Sequence, residues 1–325
     1  MNDDSLNQNV TPRIPFGILW IRTMRAPFLQ ATFVPVILGS VIAWQLTHVF
    51  RWDLFALTLL GGSLIHIATN MLNDYFDYRS GNDLEVRHQN PFAGGGRILT
   101  SGLVKPSTHL AVSTTCLVIG CLIGLYFIFA YSLVYLWILG VVGVLSSIFY
   151  VGPPFKLAYR GIGELVLGIN FGPVMTLGAF YVQTGYFAWE PFLASIPVGL
   201  LIAAVVWINE FPDMAADKAV GKRNLVLRLG YGRSIMVYIG MVGTAYLLLI
   251  AYAILRIFSP IPITSLATLI ALLSLPLAMK AIRILRINYS DPHAIIPANA
   301  NTIMLHLVFG ILAIFGFLIG AFAGI

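Results

Sequence analysis

His66-Ile-Ala-Thr-Asn70-Met-Leu-Asn73-Asp74-Tyr-Phe-Asp77-Tyr-Arg-Ser-Gly-Asn-Asp83 is a polar ending to an apolar stretch. From residue 54 the chain before it reads Leu-Phe-Ala-Leu-Thr-Leu-Leu-Gly-Gly-Ser-Leu-Ile. Residues 54–73 together supply the ~20 mainly apolar residues that a helix needs to cross a hydrocarbon core. His66, Asn70, Asn73 and Asp77 recur at i, i+4, i+7 and i+11, which places them on one helix face. The stretch therefore reads as a membrane helix with a polar face that ends in carboxylates. An acidic group at bilayer depth costs about 2.5–3.5 kcal/mol on insertion scales, so a cluster there is a functional signal by default.

Eight further apolar stretches surround it, so that the chain holds about nine spans: 27–48, 54–73, 108–130, 133–150, 163–183, 191–209, 234–256, 262–280 and 302–324. Of the 325 residues 58% are hydrophobic and 10% charged, against about 25% charged in a soluble domain. So few charges cannot solvate a surface of this size, and the lipid bilayer is the main solvent. The expected fold is all-α and integral to the membrane, with about nine transmembrane helices around a central cavity. With the N-terminus inside, seventeen Lys and Arg fall in the inner segments and only Arg51 and Arg256 outside. The net charge of +6 is thus a topology signal, and no nucleic-acid partner is implied. Residues 1–13 are polar, and no signal-peptide pattern follows them. Cys116 and Cys121, five apart in one apolar stretch, read as packing residues. The expected organisation is a cytoplasmic segment 1–26 and a single catalytic domain 27–325, with active-site loops 74–107, 151–162 and 210–233. Nine spans can enclose their own cavity, so no oligomer is required.

A second acidic ending follows the sixth span: Asn209-Glu210-Phe-Pro-Asp213-Met-Ala-Ala-Asp217-Lys218. Asn209, Asp213 and Asp217 again share a helix face. Both endings have the form N-[DE]-x-x-D, 136 residues apart, a weak internal repeat that gives each half one carboxylate arm. Facing carboxylates repel unless a cation lies between them. Their hard oxygens suit Mg²⁺, which takes one or two carboxylates with waters and phosphate oxygens. The inner loops also hold Arg79, Arg97, Lys156, Arg160, Lys222 and Arg223. Carboxylates and metal ringed by Arg and Lys are what a diphosphate requires. Simple solvation of helix ends explains one such motif more readily than two matched ones.

These motifs resemble the UbiA superfamily of intramembrane prenyltransferases over nearly the whole chain. The family's first motif, N-D-x-x-D-x-x-x-D, would place its last Asp at Gly81; here the third acid is Asp83. That ending resembles the menaquinone branch, the MenA-type 1,4-dihydroxy-2-naphthoate prenyltransferases. So do Arg25-Ala-Pro27, Tyr150-Val-Gly-Pro-Pro-Phe-Lys156-Leu-Ala-Tyr159-Arg160-Gly-Ile-Gly-Glu164 and Asp217-Lys-Ala-Val-Gly221-Lys222-Arg-Asn224-Leu.

The resemblance implies electrophilic prenylation of a small aromatic acceptor by a prenyl diphosphate, with Mg²⁺ as cofactor. It implies Asp74, Asp77, Asp213 and Asp217 as catalytic metal ligands and Lys156 as a further catalytic residue. Substrate contacts are expected from Arg25, Asn73, Asp83, Arg97, Tyr150, Tyr159, Arg160, Asn209, Lys222 and Arg223. Tyr75, Phe76, Tyr150 and Tyr159 are candidates to face an allylic cation. In the naphthoate branch the attacked ring carbon bears a carboxylate, so CO₂ is lost; 4-hydroxybenzoate is the alternative acceptor. The expected site is a prokaryotic plasma membrane with a cytoplasmic active site. His66, Asn170 and His306 lie in apolar spans as cavity-lining or helix-packing residues. Glu164 either favours the start of a helix or holds Arg160. Gly172-Pro173 implies a kink, and Gly94-Gly95-Gly96 a hinge or turn. A secondary transporter also carries repeats and buried acids, but near the bilayer midplane and not at the cytoplasmic helix ends.

Overall fold

Apolar runs of some twenty residues leave the backbone no water to bond, so helices that satisfy themselves are the outcome. A computed structural model describes residues 14–85, 98–258 and 265–323. Eight helices there are long and apolar enough to cross a membrane: α1 (Ala26–Thr47), α2 (Trp52–Ser80), α3 (Pro106–Tyr131), α5 (Gly163–Thr184), α6 (Trp189–Asn209), α7 (Leu225–Phe258), α8 (Leu266–Asn288) and α9 (Ile296–Ala323). Between α3 and α5 lies α4 (Leu136–Phe149), with only 14 residues. At 1.5 Å per residue it spans ~21 Å, short of the ~30 Å core. The full span expected at 133–150 is therefore cut at both ends. Ser132 turns left-handed before α4, and Pro153 and Pro154 follow it without backbone N–H groups to extend a helix.

α1, α6, α7 and α9 close on one core, where Leu38, Leu201, Trp207, Tyr238 and Phe309 are buried. Polar pins fix their register. Tyr238 Oη lies 2.7 Å from Thr302 Oγ1, and Trp207 Nε1 donates to Ser234 O at 2.9 Å. α5 is pressed onto α6 through glycines. A Cβ on Gly199 would stand 2.5 Å from Gly168 O, and one on Gly172 2.7 Å from Gly199 Cα. Small residues let helices approach in this way inside a membrane. The expected kink at Gly172-Pro173 takes the form of a wide π turn over Asn170–Val174. Outward faces carry large apolar side chains such as Phe129, Trp189 and Phe258, more than 70% exposed, which suit contact with lipid.

The largest departure from expectation concerns α2. It continues as helix through Ser80, so Asp74 and Asp77 lie on the helix itself and not in the loop expected from residue 74. Gly81, at φ 81°, then ends it in the left-handed region that favours glycine. A one-turn helix at Asn82–Glu85 follows. Arg97 and Gly94-Gly95-Gly96 lie outside the described residues.

Candidate active site

The polar face of α2 and the end of α6 meet over a cavity of about 190 Å³. Asn70, Asn73 and Asp77 line it from α2. Past the turn at Gly81, Asn82 and Asp83 fold back into the same wall. From the other side come Asn209, Glu210 and Asp213. Tyr150, Lys222 and Arg25 complete the rim.

Of the paired aspartates, Asp74 and Asp77 on one arm and Asp213 and Asp217 on the other, each arm has one that lines the cavity and one held by a cation, while Asp83 and Glu210 add further carboxyls to the wall. On the first arm Arg25 Nη2 is paired with Asp74 Oδ1. Asp77 faces the cavity, and its Oδ1 accepts from Tyr159 Oη at 3.2 Å. On the second arm Asp213 faces the cavity, while Asp217 is 1% exposed and clamped. Lys222 Nζ stands 3.1 Å from Asp217 Oδ1, Asn224 Nδ2 donates to Oδ2 at 2.7 Å, and Asn82 Nδ2 reaches Oδ1 at 3.4 Å. The last contact ties one arm to the other.

The crowding of acids shows in their protonation. Burial, reinforced by repulsion from Asp77 and Asp74, pushes the Asp83 carboxyl up to about 7. Burial and repulsion from Asp217 push Asp213 to about 7, against the pull of Lys222. Glu210 is raised well above the usual carboxylate range by burial and by neighbouring Glu164. Burial alone would depress Lys222, but Asp217, Asp77 and Glu210 outweigh it and hold the ammonium charged. Burial beside Asp77 pushes the Tyr159 phenol to about 12.

This donor set suits a hard cation that arrives with its own phosphate oxygens. Among the described residues no three acids or histidines converge into a cage for an ion. Mg²⁺ does not need one, since one or two carboxylates, waters and substrate phosphate usually complete its shell. A cation there would offset both the burial and the mutual repulsion that raise Asp83 and Asp213.

Several expected residues lie elsewhere. Lys156, Arg160 and Arg223 are exposed. Lys156 lines a separate surface cleft with Tyr75, Phe76, Arg79 and Tyr159, and its Nζ stands 5.2 Å over the Tyr159 ring. Arg160 donates to Pro154 O at 3.4 Å and does not meet Glu164. Glu164 instead accepts from Leu225 N at 2.9 Å, which fixes the start of α7. Arg223 contributes its backbone N–H to Tyr159 O at 3.1 Å. Of the aromatic candidates only Tyr150 lines the main cavity, where Phe171 joins it. Asn82 and Glu210 line the cavity without having been named as substrate or metal contacts, and His306 takes the cavity-lining place that was one of its two expected roles. Glu210 and Asn82 were marked by their place inside the acidic motifs. His306 was marked by being a polar residue in an apolar span.

The inner side of the cavity meets an apolar chamber of about 200 Å³ between α2, α3, α4 and α5. His66, Thr69, Leu167 and Phe171 belong to both walls. The chamber is paved with small residues, among them Gly61, Gly120, Gly124, Gly143 and Gly178. A charged mouth, a polar middle and an apolar gallery thus lie in series. The profile of the UbiA prenyltransferase family matches residues 32–296.

The chain belongs to the UbiA prenyltransferase family.

As a UbiA member it is a prenyltransferase integral to the membrane. Among its relatives is 1,4-dihydroxy-2-naphthoate octaprenyltransferase of Bacillus subtilis, 32% identical over 94% of this chain and 93% of that one. The 2-carboxy-1,4-naphthoquinone phytyltransferase of Synechocystis is 30% identical, covering 92% of each chain. The resemblance to the MenA branch is thus carried by whole-chain similarity as well as by motifs. A UbiA homolog from Archaeoglobus fulgidus, solved with GPP and Mg²⁺, has the same fold. Its TM-score is 0.60 at 14% identity, over 91% of this chain and 99% of that one.

Proposed function

We propose that this UbiA enzyme transfers a polyprenyl group from its diphosphate to 1,4-dihydroxy-2-naphthoate, with loss of CO₂, in a Mg²⁺-dependent reaction. The observation that carries this reading is the junction of an acid-and-cation mouth with an apolar chamber, which matches a molecule with a diphosphate at one end and an isoprenoid at the other. The names of the Bacillus and Synechocystis relatives support a naphthalene acceptor. Seventeen inner Lys and Arg support a cytoplasmic mouth and N-terminus in a prokaryotic plasma membrane. Cavity walls drawn from Phe28 to His306 support one catalytic domain over 27–325, to which the end of the segment 1–26 adds Arg25.

Asp77 and Asp213, which line the cavity, would hold Mg²⁺, which would supply Lewis-acid neutralisation of the diphosphate, while Asp74 and Asp217, the other two expected ligands, would act through the cations they hold. Lys222 and Arg25, preset by their own carboxylates, face the charge that builds on the leaving group. Asn73 and Asn209 offer amides on the same walls. Asn209 is oriented by Asn299, whose Nδ2 donates to its Oδ1 at 2.7 Å. The bond from prenyl C1 to oxygen breaks, and its electron pair leaves with diphosphate. Tyr150 and Phe171, aromatic residues of the cavity wall, are the candidates to stabilise the allylic cation. The acceptor's ring carbon bonds to C1. The bond from that carbon to the carboxylate then breaks, returns its pair to the ring and releases CO₂.

The test is a membrane-fraction assay with a long-chain prenyl diphosphate and Mg²⁺, offering 1,4-dihydroxy-2-naphthoate and 4-hydroxybenzoate in parallel, with an EDTA control. A decarboxylated, prenylated naphthol that vanishes with EDTA is the expected result. Product from the benzoate alone would overturn the acceptor and keep the reaction class.

A further inference from the structure

Below its charged mouth the active-site cavity carries polar groups of a second kind. Asp77 marks the mouth on α2. Asn70 lies seven residues further in, ~10 Å at 1.5 Å per residue, and His66 eleven residues in, ~16 Å. On α9, His306 lies ten residues from Ile296, ~15 Å along the helix. All three side chains line the cavity. His66 is already engaged: its Nδ1 lies 2.9 Å from Thr32 Oγ1, and its ring packs 4.6 Å from that of Phe171. His306 is not. It is 1% exposed, and neither ring nitrogen has a hydrogen-bond partner among the described residues. Asn70 Nδ2 is also buried and unpartnered.

Buried polar side chains without partners are rare in native proteins and call for an explanation. Packing does not supply one. Leu305 and Phe309 on either side belong to the hydrophobic core, where an apolar residue would serve α9 as well. The reactants divide into three parts. The diphosphate meets Lys222 and Arg25 at the mouth. The isoprenoid tail has no polar atom. Only the acceptor brings neutral hydroxyl groups to a level between them, and a neutral imidazole, with one donor and one acceptor nitrogen, matches a hydroxyl.

We propose that His306 is a positioning residue for the acceptor, hydrogen-bonding a ring hydroxyl of the aromatic substrate opposite Asn70. The proposal rests on the prenyl-transfer reading above. It is tested on the full chain in nanodiscs with a prenyl diphosphate, Mg²⁺ and 1,4-dihydroxy-2-naphthoate, beside the two analogues that each lack one hydroxyl. In His306→Ala the KM for the acceptor should rise roughly tenfold, the scale of one lost hydrogen bond in a buried site. The KM for prenyl diphosphate and the melting temperature should stay unchanged. His306→Gln, which keeps a donor and an acceptor, should recover most of the loss. The wild type should discriminate against one of the two analogues, and His306→Ala should lose that discrimination. An unchanged acceptor KM in His306→Ala overturns the proposal. So does a parallel rise in both KM values with a lower melting temperature, which marks a packing residue. A wild type that prenylates no hydroxylated aromatic overturns the functional reading itself, whereas an active wild type with an insensitive His306→Ala overturns only the role of His306.

Discussion

The two acidic arms read alike and fold differently. On α2 the helix runs unbroken through the motif to Ser80, so Asp74 and Asp77 are set by helical geometry. On the second arm α6 stops at Asn209, Glu210 lies in a turn, and Asp213 precedes a new short helix at Met214–Ala219. Pro212, which has no backbone N–H, is consistent with that break. Yet the paired aspartates of both arms, Asp74 with Asp77 and Asp213 with Asp217, arrive at the same division, one open to the cavity and one locked to a cation. The repeat is therefore one of function at the cavity wall and not of backbone. What matters is where the open oxygen lies, and two local structures can put it there.

The sharpest way to break this comparison is to neutralise the open pair. Asp77→Asn and Asp213→Asn should each lower kcat by at least ~100-fold, the scale of losing a main electrostatic group. The folded protein should remain, judged by its melting temperature in nanodiscs. Full activity in either variant would sink the division of roles. The locked pair should behave otherwise. Lys222→Met leaves Asp217 buried without its cation, and stranding one partner of a buried pair costs about 3–5 kcal/mol. Its melting temperature should fall together with its activity. Loss of activity alone would show that Lys222 does not hold the second arm.

A smaller effect follows from protonation. The Asp213 carboxyl is ordinarily near 3.8 and rises to about 7 in the fold. Its folded form holds the proton more tightly, so its contribution to stability is complete below about pH 4 and is lost as pH climbs through about 7. The groups acting on it are Asp217, Lys222, Asp77 and Arg25. With EDTA present, the melting temperature should drop between pH 5 and 8, and Asp213→Asn should flatten that drop. An equally steep drop in the variant would assign the effect to other acids. The smallest change belongs at the opposite membrane face. Glu190, in the first turn of α6, lies at the end of that helix remote from Asn209, ~28 Å away at 1.5 Å per residue. Glu190→Gln should leave kcat within about twofold, since surface changes away from a site stay within about 0.5 kcal/mol.

The cations show where reading along the chain falls short. Lys156, Arg160, Lys222 and Arg223 carry the same charge and lie in basic loops of similar composition. Only Lys222 faces the cavity. Gly221, at φ 74°, turns the chain there, and the Arg223 N–H is held by Tyr159 O, so one of two adjacent cations points in and the other out. No local pattern distinguishes them, because the difference arises from a loop that docks on another loop. The extension of α2 to Ser80 was nearer to hand: Gly81 followed by Asn82 is a helix-stop signal, but the polar residues before it suggested a loop.

By itself the sequence determined that this chain lives in a bilayer, roughly where its helices lie though not where α2 and α4 end, and that it carries two carboxylate arms at helix ends. Hydropathy and helical periodicity are local properties that survive whatever the helices pack against. Tertiary structure alone decided which carboxylates are open and which are clamped, which lysine enters the cavity, and that His306 is left without a partner. Those are facts about distances between segments far apart in the chain. A buried group is satisfied or stranded only by neighbours that folding brings to it.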